Sequence, residues 1–124
     1  MSGLEIGAAA EISRSVSADD VARYVSLGGA PADGAWPEPL IGALFSYLLG
    51  VKLPGPGTNY LKQSVEFLEQ APMNEPLTAR VEITRLRPEK NLVDLETTCR
   101  LANGRVVARG RALVYVADIR PRLR

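Results

Sequence analysis

The sequence predicts an α+β fold in which one apolar helix is wrapped by a curved antiparallel sheet. Three observations predict it. Leu40, Ile41, Ala43, Leu44, Phe45, Tyr47, Leu48 and Leu49 are apolar on nearly every side of a helix. A surface helix keeps a polar face, so one that is apolar all round is expected to be surrounded by its own protein. The run then stops abruptly at Gly50 and Leu53-Pro54-Gly55-Pro56-Gly57, a stretch that suits neither helix nor central strand. Downstream, several long segments alternate apolar and polar residues with the two-residue period of half-buried strands.

Residues 10 to 16 alternate weakly and suit a short strand. Ser17 then stands as a helix cap, with Asp19 and Asp20 favoured by the positive end of the helix dipole. Val21, Tyr24 and Val25 follow at helical spacing, and Gly28-Gly29 ends the helix. The run from 28 to 37 has the composition of an irregular loop. The apolar helix starts between Pro37 and Pro39, where a missing N–H costs nothing.

Four extended segments complete the chain. The first, Asn59 to Glu69, carries Leu61, Gln63, Val65 and Phe67 on one face. The second alternates Leu77, Ala79, Val81 and Ile83 with Thr78, Arg80, Glu82 and Thr84. The third sets Val93, Leu95, Thr97, Cys99 and Leu101 against Asp94, Glu96, Thr98 and Arg100. Asn103-Gly104 predicts a tight hairpin, because both residues tolerate positive φ. The fourth places Val106, Ala108, Gly110, Ala112, Val114 and Val116 opposite Arg105, Arg109 and Arg111. A meander of these strands around the one helix satisfies every apolar face, which is the hot-dog arrangement. Residues 1–118 form this domain, and 119–124 form a basic tail.

Composition bounds the function. The chain has 124 residues, enough for one domain with a core of its own. Its formal charge of +1 gives no reason to expect nucleic acid as a partner. No stretch is long and apolar enough for a membrane span, and the N-terminus lacks the pattern of a signal peptide, so a cytoplasmic protein is expected. A single cysteine excludes a disulfide framework and a cysteine-based metal cluster. There is no histidine. That absence excludes a Ser-His-Asp triad, a Cys-His pair, a histidine-ligated metal and a histidine general base. No metal and no cofactor is expected.

The run LFSYLLGVKLPGPGTNYLKQSVEFL, Leu44 to Leu68, resembles the signature of the MaoC-like, (R)-specific enoyl-CoA hydratases. The residues that carry the resemblance include Leu48, Leu49, Gly50, Leu53, Pro54, Gly55, Pro56, Gly57, Thr58, Tyr60, Leu61, Gln63, Ser64 and Phe67. It extends through Leu77-Thr78-Ala79-Arg80-Val81 and Asp94-Leu95-Glu96-Thr97, and back to the helix after Ser17. The resemblance implies a dimeric hot-dog fold with an acyl-thioester site at the subunit interface. The thioester would be carried by coenzyme A or an acyl-carrier protein, with its pantetheine arm along the Pro/Gly turn. It also implies an Asp and a His that together activate a water. By register those positions fall here on Ala30 and Ala35, and the family's oxyanion glycine falls on Glu38.

The candidate residues follow from both readings. Glu38 is a candidate base at the mouth of the apolar helix, or simply a favourable first-turn charge. Asp33 either swings into the site or is a solvated turn residue. Ser46 matches a serine near the family's site, or packs within its own helix. Pro54, Gly55, Gly57, Asn59 and Gln63 are candidates for the wall of the substrate channel, with Asn59 and Gln63 otherwise wet-face residues of a strand. Tyr60 is assigned to core or interface, Cys99 to a buried structural thiol, and Trp36 either plugs the site or anchors the loop. Three functions fit: an acyl-thioester-binding relative of the hydratases with an altered site, a non-catalytic subunit beside a catalytic hot-dog chain, and an acyl-CoA thioesterase using Glu38. The second makes a heterodimer, the others a homodimer.

Overall fold

The computed structural model describes residues 4–29 and 35–117. Ala30, Asp33 and the tail from 119 onward lie outside the described residues. The chain order is β1 (Ala9–Arg14), α1 (Ala18–Ser26), α2 (Glu38–Tyr47), a π-helical segment (Leu48–Lys52), β2 (Asn59–Phe67), β3 (Leu77–Arg87), a 3₁₀ turn (Pro88–Lys90), β4 (Leu92–Leu101) and β5 (Val106–Tyr115). The five strands make one sheet in the order β1-β3-β4-β5-β2, with every neighbouring pair antiparallel. This is the predicted α+β hot-dog fold.

The alternation in the sequence sets the core. β3 buries Leu77, Ala79, Val81 and Ile83, and β4 buries Val93, Leu95, Thr97 and Cys99. Against that face α2 presents Ile41 and Phe45, continued by Leu48 and Leu49. Each large side chain buried there stabilises the fold by about 1.5–3 kcal/mol. The outer face of the sheet is polar and paired. Arg87 donates two bonds to the Asp94 carboxylate, at 3.0 and 3.1 Å. Arg80 bridges Glu11 and Glu82 at 2.9 and 2.8 Å.

The cap of α1 forms as the sequence predicts. Ser17 Oγ accepts from the Asp20 N–H, and the Asp20 carboxylate accepts from the Ser17 N–H. The bond from the Ser17 N–H, and a second that the Ser17 hydroxyl donates to the same carboxylate at 3.0 Å, hold the Asp20 carboxyl below its usual pKa, because both favour the charged form. α1 itself buries no residue completely.

Three details differ from the sequence reading. The apolar helix is enclosed on one face only: Ala43, Ser46 and Tyr47 are exposed in the isolated chain. The helix also runs past Gly50 as the π-helical segment, in which the Leu53 N–H reaches Leu48 and the Gly55 N–H reaches Leu49. Pro54, with no N–H to donate, and the left-handed Gly55 (φ 101°) and Gly57 (φ 95°) then turn the chain. Finally, the last four strands are not a simple meander. β3, β4 and β5 are, but β2 crosses over and pairs with β5. The hairpin between β4 and β5 is also wider than two residues, with Gly104 alone of the Asn103-Gly104 pair at positive φ.

Candidate functional site

The site the sequence points to lies between the entrance and outer face of α2, the turn that follows, and the inner face of β2. At the entrance, Ala35 bridges to Pro72 and the Trp36 N–H donates to the Ala71 carbonyl at 2.8 Å. Trp36 is only 5% exposed and belongs to the core, so it anchors the incoming loop. Its indole Nε1–H has no hydrogen-bond partner among the described residues. Glu38 is the first residue of α2 and is exposed. The helix start offers few free donors for a substrate oxygen, because Pro39 has no N–H and the Leu40 N–H already bonds the Pro37 carbonyl at 3.0 Å.

Further along, Pro54 and Gly55 are buried in the turn and Gly57 is exposed. The Asn59 amide donates to the Gly57 carbonyl at 3.4 Å. Asn59 pairs with Tyr115, on the outer side of the sheet, whereas Gln63 pairs with the buried Ala112 and so faces inward. The structure therefore puts Gln63 on the helix side of β2 and Asn59 on the other.

A β-bulge changes which neighbours Gln63 has. The register of β2 against β5 shifts between Tyr60 and Lys62. Strict alternation would place Leu61 with Gln63, Val65 and Phe67. The bulge instead turns Tyr60 inward, opposite the buried Val114, and leaves Leu61 52% exposed. The Tyr60 phenol then reaches Ser46 on α2 and donates to its Oγ at 3.4 Å. Burial pushes the Tyr60 phenol up from its usual pKa, which the bond to Ser46 partly offsets. Ser46 and Tyr60 are thus in contact, with Gln63 on the same face. Sequence reasoning gave Tyr60 no part in the site, since a bulge leaves no clear mark in an alternating pattern. Cys99 is fully buried in the core, and burial pushes its thiol up to about 11. Among the described residues no group of His, Cys, Asp and Glu side chains is placed to hold a metal.

No family model matches the chain. An (R)-specific enoyl-CoA hydratase from Aeromonas caviae is 33% identical over 126 residues, covering 90% of this chain and 94% of that protein. The chain belongs to the family of the (R)-specific enoyl-CoA hydratases. A solved structure of the A. caviae (R)-hydratase superposes with a TM-score of 0.85 at 32% identity, over 93% of this chain and 98% of that one. An (R)-specific enoyl-CoA hydratase from Rhodospirillum rubrum is 43% identical over 77 residues, which is 62% of this chain but only 53% of that protein. Like its relatives the present chain is MaoC-like with a hot-dog fold, and it contains no histidine. No helix among its described residues is long and apolar enough to cross a membrane.

Proposed function

We propose that this chain binds an acyl thioester, carried by coenzyme A or an acyl-carrier protein, at a site that has lost the acid–base pair of its family. The observation that carries the reading is the complete absence of histidine in a chain that spans 94% of a hydratase relative. The retained half of the site supports thioester binding: the Pro54-Gly55 turn, and Ser46 and Gln63 facing the space beside α2. The catalytic half is what is missing. Ala35, where a histidine is implied, is a buried residue tied to Pro72. A general acid/base contributes on the order of 10²–10⁴-fold, so a chain without the pair hydrates an enoyl thioester poorly or not at all.

The working unit is a dimer. Among the described residues β2 is an edge strand, unpaired on one side, and Tyr47, Val51 and Leu61 are exposed apolar side chains. A second hot-dog chain covers both. Lys62 and Glu66 flank Ser64 on the outer face of β2, so a two-fold antiparallel pairing centred on Ser64 sets each lysine against the glutamate of the second copy. A histidine-bearing relative in that position would instead make this chain the channel-shaping half of a heterodimer.

The test is binding measured apart from turnover. Calorimetric titration of the purified chain with butyryl-CoA is expected to show saturable binding that is tighter than for coenzyme A alone. Acyl-CoA hydrolysis is expected to stay at background and to be unaffected by Glu38→Gln. Absence of any binding would overturn the thioester reading, and hydrolysis abolished by Glu38→Gln would make the chain a thioesterase.

A further inference from the structure

Tyr60 is brought to the inner face of β2 by a β-bulge, and it spends its one phenolic proton on Ser46, 14 residues earlier in the chain. Resting on the acyl-thioester reading, we propose that Tyr60 is a positioning residue: it holds the Ser46 hydroxyl so that the serine proton points to a neutral acceptor on the ligand, the thioester carbonyl.

The reasoning is one of donors and acceptors. A phenol has a single proton, and here it goes to Ser46 Oγ. A serine hydroxyl that accepts at its oxygen keeps its own proton for another partner, and accepting makes it a stronger donor. No second partner of the Ser46 hydroxyl occurs among the described residues, and Ser46 is exposed on the face of α2 that turns away from the core. Gln63 lies on the same inner face as Tyr60, also exposed, and adds an amide to the wall. None of the three carries a charge. Tyr47, next to Ser46 in the chain, and Val51 are exposed apolar residues, and Val65, on the same face of β2 as Gln63, packs on the core. Neutral donors in an apolar wall suit a carbonyl or an amide rather than a phosphate or carboxylate, which would call for arginine or lysine. Burial that keeps the phenol protonated agrees with this role.

A merely structural bond, tying helix to strand, would affect folding without regard to the ligand. The experiment separates the two. Butyryl-CoA and coenzyme A are titrated calorimetrically into the wild-type chain, Tyr60→Phe, Ser46→Ala and the double variant. The expected result is a loss of about three- to tenfold in butyryl-CoA affinity for each single variant, the size of one hydrogen bond. The double variant is expected to be no weaker than the weaker single one, because both losses remove one interaction. Coenzyme A binding is expected to be equal in all four. Isotope-edited infrared spectra of bound crotonyl-CoA give a second readout on the unaltered protein: the thioester carbonyl stretch is expected at lower frequency than in free crotonyl-CoA, and the shift is expected to shrink in Tyr60→Phe. Wild-type binding of butyryl-CoA with unchanged affinity in Tyr60→Phe would overturn the role of Tyr60 and leave the thioester reading standing. So would losses that multiply, an equal loss for coenzyme A, or an unshifted carbonyl in the wild-type complex. A wild-type chain that does not bind butyryl-CoA would overturn both.

Discussion

Replacing Gly110 with alanine is expected to destabilise the fold and loosen the wall that carries Tyr60 and Gln63. Gly110 lies on the inner face of β5, between Val65 of β2 and Thr97 of β4. A Cβ added there overlaps the carbonyl oxygen of Ser64. It also stands 2.8 Å from the Ser64 carbonyl carbon and 3.0 Å from the Val65 Cα. All three atoms are backbone, so no rotamer change relieves the clash. β2 must retreat as a strand, and the ladder bonds to β5 stretch with it. Overpacking of this kind costs about 1–3 kcal/mol. The alanine recovers roughly 0.5–1 kcal/mol by restricting the unfolded chain. Because the clash is with backbone, the cost falls at the upper end, about 2–3 kcal/mol, so the net loss is about 1–2.5 kcal/mol, or roughly 3–12 °C in Tm for a domain of this size. Thermal melting followed by circular dichroism measures the loss, and hydrogen exchange of the β2 amides locates it. A Tm that is unchanged or higher, with β2 amides as protected as before, would refute the close approach of the two strands.

Other outcomes follow from single groups. Cys99, with its thiol pushed up to about 11, should be almost entirely protonated at pH 8. Native-state labelling by a thiol reagent should therefore run at least about 100-fold slower than in denaturant, whereas comparable rates would mean the core opens at Cys99. Asp20 has a folded pKa below its unfolded one. The stability it lends α1 is thus present above the unfolded value and is lost as pH falls through the folded one. Ser17→Ala removes the hydroxyl donor but keeps the Ser17 N–H, so the Asp20 titration, followed by NMR, should move part of the way toward that of a free aspartate, and an unmoved titration would contradict the hydroxyl bond. Arg87→Lys keeps the charge but cannot reproduce two parallel bonds to Asp94, whose side chain and that of Arg87 are both about three-quarters buried. A loss of about 0.5–1.5 kcal/mol in denaturant unfolding is expected, and no loss would mean the pair is a loose surface contact.

Much of the fold was legible because its strands are one-sided. Leu77 to Ile83 and Val93 to Cys99 alternate cleanly, and the structure buries those residues. The cap at Ser17 was legible from local chemistry alone. Pairing order was not, because β2 carries the same kind of pattern whether it lies beside β3 or β5. The stop of α2 was misplaced because a glycine tolerates a helix as well as ending one, and the proline at 54 is what decides. Within the candidate site, Ser46 and Gln63 were singled out by resemblance, and the structure places Gln63 on the inner face of β2. Tyr60 was assigned to core or interface, and its contact with Ser46 was not legible, because a single bulge at Leu61 reverses the face of every residue before it. The helix was expected to be fully enclosed because its outer face is apolar too, whereas the described residues leave Ala43 and Tyr47 on that face exposed.

On the proposed reading, the chain keeps the scaffold of a hydratase without its acid–base pair. The most direct measurement is the rate of crotonyl-CoA hydration by the purified chain alone, beside a histidine-bearing (R)-specific enoyl-CoA hydratase under the same conditions. A rate lower by about 10³-fold or more is expected, with crotonyl-CoA still bound. Hydration by the lone chain at a rate comparable to the relative's would contradict it.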